Sequence, residues 1–437
     1  MREHFDALMD TLAAGRTENE HLHAGLEGES SDFVRFNRAR VRQAGHVNQY
    51  RLQLALQRGR KHCTAECDLE GGDSDHETVR ALLRQLRERL PNCPDDPYLN
   101  YNDRPQSTDS TCTQPLPDAA AIAAKLCATS EGLDLVGIYA GGDIVCGYAN
   151  THGQRNWHAR SLFNLDWSCH LPGNRAVKSM LAGNDWNPAE LAAEIDRQRR
   201  ALEILGRPPL SIAPGRYRAY LAPSALAELL ELLSWDGFSL REHRTRQSSL
   251  LKLAAGDRRL DPRVGLSENR AGGFAPRFTG EGFVVPDCIP LIENGRLAEL
   301  LVDARSAREY DATVNTGSES PESLEMAAGD LPGSDILAAL HTGLYINHLW
   351  YGNLSDANNC RMTGLTRYAC YWVENGEIIA PLDVMRFDDS LYRLLGEELE
   401  AITMERRFMH DTNTYEQRSL SSLHLPGILC RALRLTL

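Results

Sequence analysis

Leu291–Leu297, LIENGRL, and Trp372–Ile378, WVENGEI, share one pattern. In each, two apolar residues lead into Glu-Asn-Gly, and a charged residue and an aliphatic one follow. A type I′ turn needs positive φ at both central residues, which Asn tolerates and Gly adopts freely. Flanked by apolar residues, each Asn-Gly therefore predicts a tight β-hairpin. The rival reading makes Glu293 and Glu374 a catalytic carboxylate pair. Hairpin scaffolding is preferred, because the local pattern alone accounts for both segments.

Outward from the hairpins, the chain reads as strand-rich. In FVRFNRARVRQ (33–43), Val34 and Phe36 alternate with Arg35 and Asn37. In YRLQLALQ (50–57), Tyr50, Leu52, Leu54 and Leu56 alternate with more polar neighbours. Period two with one polar face marks a half-buried antiparallel sheet, placed here over residues 33–70. Residues 76–90 put Val79, Leu82, Leu83 and Leu86 on one helical stripe. A Pro/Asp/Asn-rich loop (91–117) and an Ala-rich helix (118–128) follow. LVGIYAGGDIVCGYANTHG (135–153) suggests two strands joined by a Gly-Gly-Asp turn. Asn187 and Pro188 form a favourable start to a helix over 188–205.

The segment GRPPLSIAPGRY (206–217) carries three prolines and is the best domain boundary. It divides the chain into an N-terminal α+β domain, 1–206, and a strand-rich C-terminal domain, 215–437. Beyond it, a strand (215–221) and an apolar helix (223–233) precede a region expected to be strand- and turn-rich (245–315). Helices are expected at 333–342 and near 389–401, and a final strand in LPGILCRALRLTL (425–437). Few helices beside many strands indicate an α+β fold rather than a doubly wound sheet.

The 437 residues exceed one ordinary core and imply two or three domains. With 42% hydrophobic and 24% charged residues, composition is that of a globular protein. A formal net charge of −13 argues against a nucleic-acid binder. The first residues lack the apolar core of a secretory signal, and no apolar run approaches the ~20 residues that span a bilayer. Eleven scattered cysteines fit reduced thiols, so a cytoplasmic location is expected.

Familiar chemical motifs are missing. His76-Glu77 is the single His-Glu pair, and the helix after it has no further histidine. Cys63 and Cys67 lie in a predicted strand with no second ligand pair, and the Cys169-His170 adjacency makes no dyad by itself. His341 and His348, with Cys360 and Cys370 downstream, read as partly buried residues unless a turn at Gly343 draws the imidazoles together. No nucleophile elbow, Walker loop or dinucleotide fingerprint is present. Between Asp32 and Glu66 the chain holds seven arginines and Lys61 with no acid, which reads as a solvated sheet face or a docking surface.

Taken together, RFTGEGFVVPDCIPLIENGRLAELLVDARSA (277–307) and GLYINHLWYGNLSDANNCRMTGLTRYACYWVENGEIIAPL (343–382) resemble the TldD/PmbA family, which is linked to zinc-dependent proteolysis. SSDFVRFNRARVRQ (30–43) and SLSSLHLPGILCRALRL (419–435) are similar to its first and last strands. The family implies either a TldD-like chain with His-Glu-x-x-x-His and a late cysteine ligand, or a PmbA-like (TldE) chain without them. Here Ser234 and Trp235 stand where His-Glu would be, and Ser239 near the second histidine. A serine is a poor zinc ligand, and Trp235 cannot act as a base. Cys430 lies in an apolar strand and reads as core.

The resemblance thus implies a PmbA/TldE-like subunit with no zinc and no catalytic residue of its own. Its expected partners are a zinc-bearing TldD-like subunit and an unfolded peptide, with a homodimer left open and neither nucleic acid nor membrane involved. Arg361, Thr363, Arg367 and Tyr368, expected in a loop before the second hairpin, are candidates for a peptide groove. Two alternatives stay open: a peptidase with an unorthodox site built from His341, His348 and Cys360 or from serine nucleophiles, and a non-catalytic binding or modulator protein.

Overall fold

The computed structural model describes residues 1–173 and 175–436. Leu437, the end of the expected final strand, lies outside the described residues. Among the described residues the strands form two sheets, one of seven strands and one of thirteen. The fold is α+β.

The first sheet uses β1 (His21–Asn37), β2 (Arg40–Arg58), β3 (Lys61–Asp68), β4 (Asp109–Cys112), β5 (Asp134–Asn150), β6 (Arg155–Leu171) and β7 (Arg175–Gly183). Their order is β3-β2-β1-β5-β6-β4, with β7 also on β6. Helices α1 (Arg2–Ala14) and α2 (Ser74–Arg89) cover one end of this sheet. Phe5, Leu8, Met9 and Leu12 of α1 recur at helical spacing and are all buried. The α2 stripe of Val79, Leu82, Leu83 and Leu86 packs beside them on Leu22, Leu26, Leu52 and Leu54.

Helices α3 (Ala119–Thr129) and α4 (Pro188–Leu205) cover the other end. Asp118 caps α3 by accepting from the Ala120 N–H at 2.7 Å. Asn187 caps α4 by accepting from the Ala189 N–H at 3.0 Å. Each cap satisfies a donor that the first helical turn leaves open.

Two readings of this half need correction. Helix α1, the first part of β1, and strands β6 and β7 carry no expectation from the sequence, and β4 lies inside the segment expected to be loop. Residues 135–153 are not two strands, because β5 runs unbroken through Gly141-Gly142-Asp143. A Cβ on Gly142 would come 2.0 Å from the Ser30 carbonyl oxygen, so that glycine serves close strand approach rather than a turn.

The second sheet uses β8 (Gly215–Leu221), β9 (Leu266–Asn269), β10 (Cys288–Glu293), β11 (Arg296–Leu297), β12 (Ser323–Met326), β13 (Gly343–Ile346) and β14 (His348–Asp356). It continues with β15 (Arg361–Arg367), β16 (Tyr371–Glu374), β17 (Glu377–Pro381), β18 (Arg386–Ser390), β19 (Leu399–His410) and β20 (Ser422–Leu435). Its main path is β11-β10-β9-β12-β20-β8-β13-β16-β17. Both Asn-Gly pairs are hairpin turns, as their chemistry demands. Asn294 and Gly295 have φ of 50° and 69°, and Asn375 and Gly376 have φ of 51° and 81°.

Two expectations fail in this half, and a third holds with a different geometry. Residues 245–315 hold two helical turns, Leu251–Ala254 and Ala304–Tyr310, beside only three short strands. The helix expected near 389–401 is one turn, Arg393–Glu397, before β19 begins at Leu399. The helix at 333–342 is a 3-10 turn followed by Ile336–Leu340. His341 ends it with φ of +54°, so His341 and His348 share no helix face.

The two sheets are tied together by side chains donating to backbone carbonyls. The His158 ring meets the Phe274 oxygen at 2.8 Å, and Gln154 donates to the Gly282 oxygen at 2.6 Å. Arg418, from the segment between β19 and β20, donates to the Leu162 oxygen at 2.8 Å and to the Ser31 hydroxyl at 3.2 Å. Arg407 of β19 reaches the Met180 oxygen on β7 at 2.7 Å. A guanidinium can satisfy several acceptors at once, which suits a seam between two sheet edges.

Candidate functional site

Helix α5 (Pro223–Ser234) is apolar almost all round. Ala225, Leu226, Leu229, Leu230, Leu232 and Leu233 are buried among the strands of the second sheet. Pro223 at its first position sets φ for the opening turn. Within this greasy helix, Glu228 and Glu231 stand one turn apart, so they share a face. Both line a cleft of about 510 Å³ between the two sheets. Lys178 and Met180 of β7 form one wall, and Arg407, Met409 and His410 of β19 form another.

Charge in this cleft is only partly balanced. Lys178 lies 3.4 Å from Asp166, and Arg407 is held by the Ser179 hydroxyl and the Met180 oxygen. Glu231 is exposed, its side chain turned into the open cleft. Burial, helped by Glu228 and Asp411 and opposed by Lys178, pushes its carboxyl up to about 7. Burial also raises Glu228, with Lys178 opposing. His348 is driven down to about 3 by burial, with Lys178 and Arg407 adding to the effect. His410 is 3% exposed and falls to about 4 through burial and Arg418, while Asp411 and a contact with the Ser419 backbone oppose. Neither of its ring nitrogens has a well-placed partner among the described residues. The cleft therefore presents neutral imidazoles at neutral pH, beside a carboxyl that titrates there.

This arrangement sets a pH dependence. The Glu231 pKa rises on folding, so its contribution to stability is full below about 4.5 and is lost as pH climbs through about 7, a small effect because solvent screens this exposed side chain. Glu231→Gln is expected to flatten that slope. Denaturant midpoints of both proteins at acid and mildly alkaline pH check this. Parallel curves would show that Glu231 ionises without penalty.

The positions expected at the degenerate zinc motif fall in different places. Ser234 and Trp235 line the cleft where α5 ends. The Ser234 hydroxyl donates to the Leu230 oxygen at 2.7 Å, and Trp235 is 65% exposed. Ser239 lies past them and caps the short helix Leu240–Arg244, accepting from the Glu242 N–H at 3.1 Å. Nearby His243 is held by the Gly237 oxygen at 2.8 Å. Cys430 is buried in β20, its thiol donates to the Ala219 oxygen at 3.4 Å, and burial lifts it to about 12. Among the described residues, no group of three or more His, Cys, Asp or Glu side chains is placed to hold a metal ion. Two carboxylates and a serine on α5, with the cysteine sealed in the core, do not fit zinc, which draws on imidazoles and thiolates.

The groove candidates lie on strand β15 and just after it rather than in a loop. Arg361 is ion-paired with Asp388. Thr363 donates to the Phe387 oxygen at 2.9 Å and accepts from Arg386 at 3.0 Å. The Arg367 guanidinium lies 5.1 Å from the Trp350 ring centre and 5.4 Å from that of Tyr368. Tyr368 approaches the cleft, with its ring 5.2 Å from His348. It lines a shallow groove with Arg35, Asn37 and Lys178, and Lys178 lines the cleft as well.

Of His341, His348 and Cys360, His348 alone lines the cleft; His341 is exposed and Cys360 is buried. Sequence reasoning passed over Glu228, Glu231, His410 and Lys178. The available signal was two glutamates inside an otherwise apolar helix.

The chain belongs to the PmbA/TldA metallopeptidase family, whose C-terminal domain matches residues 214–436. Three solved structures share the fold over 99% of this chain. A Thermotoga maritima protein described as a candidate modulator of a DNA gyrase is 15% identical, with a TM-score of 0.78 over 99% of its own length. TldE from Thermococcus kodakarensis is 14% identical, with a TM-score of 0.75 over 100% of its length. A second candidate gyrase modulator, from Bacteroides thetaiotaomicron, is 14% identical, with a TM-score of 0.73 over 98% of its length. No curated protein sequence matches the chain at a significant level. Among the described residues no helix is long and apolar enough to cross a membrane.

Proposed function

We propose that this chain is the PmbA/TldE-like, non-zinc subunit of a two-part TldD-type peptidase in the cytoplasm. It forms part of a chamber that holds an unfolded peptide while a zinc-bearing partner cleaves it. The observation that carries this reading is α5. The helix lies in a cleft walled by both sheets, and Ser234 and Trp235, which stand where the resemblance places His-Glu, line that cleft at its end.

The remaining groups are suited to holding rather than cutting. Lys178 and Arg407 present cationic donors to peptide carbonyls or a carboxylate, and Glu228 and Glu231 accept from amides or an amine. The groove past Tyr368 meets the cleft at Lys178 and runs across β6, β5 and β1, giving an extended chain room to lie. Positioning of this kind lowers the entropic cost of a reaction performed by a partner. Residues Arg40–His46 of β2 are all exposed, and β3 pairs only from Arg51 onward. That leaves an open, acid-free sheet edge where a second subunit can dock.

Co-expression with a relative carrying an intact His-Glu-x-x-x-His tests the proposal. Co-elution on size exclusion is expected, with peptide cleavage by the pair far above that of either chain. Separate elution with no gain in cleavage would sink it. Chelator-sensitive cleavage by this chain alone would favour an autonomous peptidase.

A further inference from the structure

A second cavity, of about 270 Å³, shares no lining residue with the cleft. It opens among β8, β15, β18 and the end of β20. Five arginines and three aspartates line it, and the acids are already engaged. Asp388 is paired with Arg361. Asp389 is paired with Arg393 and also accepts the backbone N–H groups of Ser390 at 2.8 Å and Arg434 at 2.9 Å. Asp356 accepts from the Asn359 side chain at 2.6 Å. That leaves the guanidinium groups of Arg216, Arg258 and Arg434, which have no carboxylate partner among the described residues. All three are exposed.

Strand register sharpens the point. Arg216 of β8 and Arg434 of β20 are direct cross-strand partners. Like charges set opposite each other in a sheet repel and weaken the pairing. An anion bridging the two would reverse that sign. We infer that this cavity binds a phosphate dianion, either free or as the head group of a small phosphomonoester.

Charge and size favour phosphate over a carboxylate. Among the lining residues five guanidiniums face three carboxylates, and Glu397 and Glu398 also pair with Arg393, so the positive charge open to an anion is that of the unpartnered Arg216, Arg258 and Arg434. A phosphomonoester carries about −1.5 to −2 near neutral pH, whereas a carboxylate supplies −1. Guanidinium forks match phosphate oxygens in pairs, giving short charge-assisted hydrogen bonds. At about 270 Å³ the cavity lies just below the ~300–1,000 Å³ typical of drug-sized ligands. It therefore suits a head group better than a whole nucleotide. Arg361, considered above for a peptide groove, would serve here by holding Asp388 away from the anion.

Isothermal titration of the full chain at low salt tests this, with inorganic phosphate, O-phosphoserine and succinate as probes. Saturable binding of phosphate or phosphoserine with Kd on the order of 1 mM or tighter is expected, with succinate at least tenfold weaker. A tenfold preference for phosphoserine identifies a monoester as the source, and equal affinities identify free phosphate. The double variant R216Q/R434Q should lose at least tenfold in affinity, yet melt no lower than wild type in phosphate-free buffer because the repulsion is gone. Should that variant fail to fold, R258Q supplies the same binding readout. Absence of saturable phosphate and phosphoserine binding, succinate binding as tightly, or undiminished affinity in the variants would overturn the assignment.

Discussion

Arg270→Met is expected to destabilise the protein by about 3–5 kcal/mol, the range for removing one partner of a buried ion pair. The Arg270 side chain is almost wholly enclosed, 3.2 Å from the equally enclosed Glu268 carboxylate and paired also with Glu322. It donates to the Thr316 hydroxyl at 3.1 Å and to the Pro276 oxygen. Glu268 itself accepts the backbone N–H groups of Glu322 at 3.0 Å and Ser323 at 2.8 Å, and so fixes the start of β12. Burial already holds the Glu268 carboxyl above the usual range, with Arg270 the main opposing influence.

Methionine would leave that carboxyl buried without its cation, and its pKa would climb further. A raised folded-state pKa gives stability that is present at low pH and lost as pH rises, so the deficit of R270M should shrink on acidification. Denaturant unfolding at two pH values measures both effects. The double variant E268Q/R270M should regain much of the loss, because the amide removes the stranded charge and still accepts from the Glu322 and Ser323 N–H groups. A double variant no more stable than R270M would show that the cost arises elsewhere.

Arg418→Ala is the second large effect expected. The guanidinium is 2% exposed and crosses from the C-terminal half into the first sheet, where it donates to the Leu162 oxygen and the Ser31 hydroxyl. Burial lowers its pKa to about 10, while Glu29, Tyr139 and Asp143 pull the other way, so it remains charged at neutral pH. Hydrogen bonds from a charged donor contribute about 1.5–3 kcal/mol each, and buried acceptors left alone add a penalty. A loss of about 3 kcal/mol follows, concentrated at the seam. The two sheets should then unfold in separable steps, seen by calorimetry, with faster proteolytic nicking between β19 and β20. One cooperative transition at an unchanged midpoint would refute this role.

The sequence made the hairpins legible because Asn-Gly solves a backbone problem that few other pairs solve. Strand alternation around Tyr50–Leu56 and the α2 stripe were legible for the same reason, since period and burial coincide. The unbroken β5 was hidden because glycine serves both turns and close strand contacts, and which one applies depends on Ser30, far away in the chain. The cleft was hidden more deeply. Lys178, Glu231, Arg407 and His410 come from β7, α5 and β19, and no spacing announces that those elements meet. Ser234 and Trp235 were legible as substitutions at a motif, but not as the rim of a cleft whose chemistry rests on the glutamates one and two turns earlier.

The place of β20 has a consequence for how the molecule comes into being. This strand, Ser422–Leu435, sits between β12 and β8 in the middle of the second sheet. On the ribosome, β8 is finished long before its neighbour exists; at ~5–20 residues per second the gap of about 200 residues lasts roughly 10–40 s. β13 and β14 reach β8 and α5 partway through that interval, but the side of β8 that takes β20 stays open to its end. A late truncation would therefore part the β11-β10-β9-β12 run from the β8-β13-β16-β17 run, splitting the second sheet rather than merely shortening it.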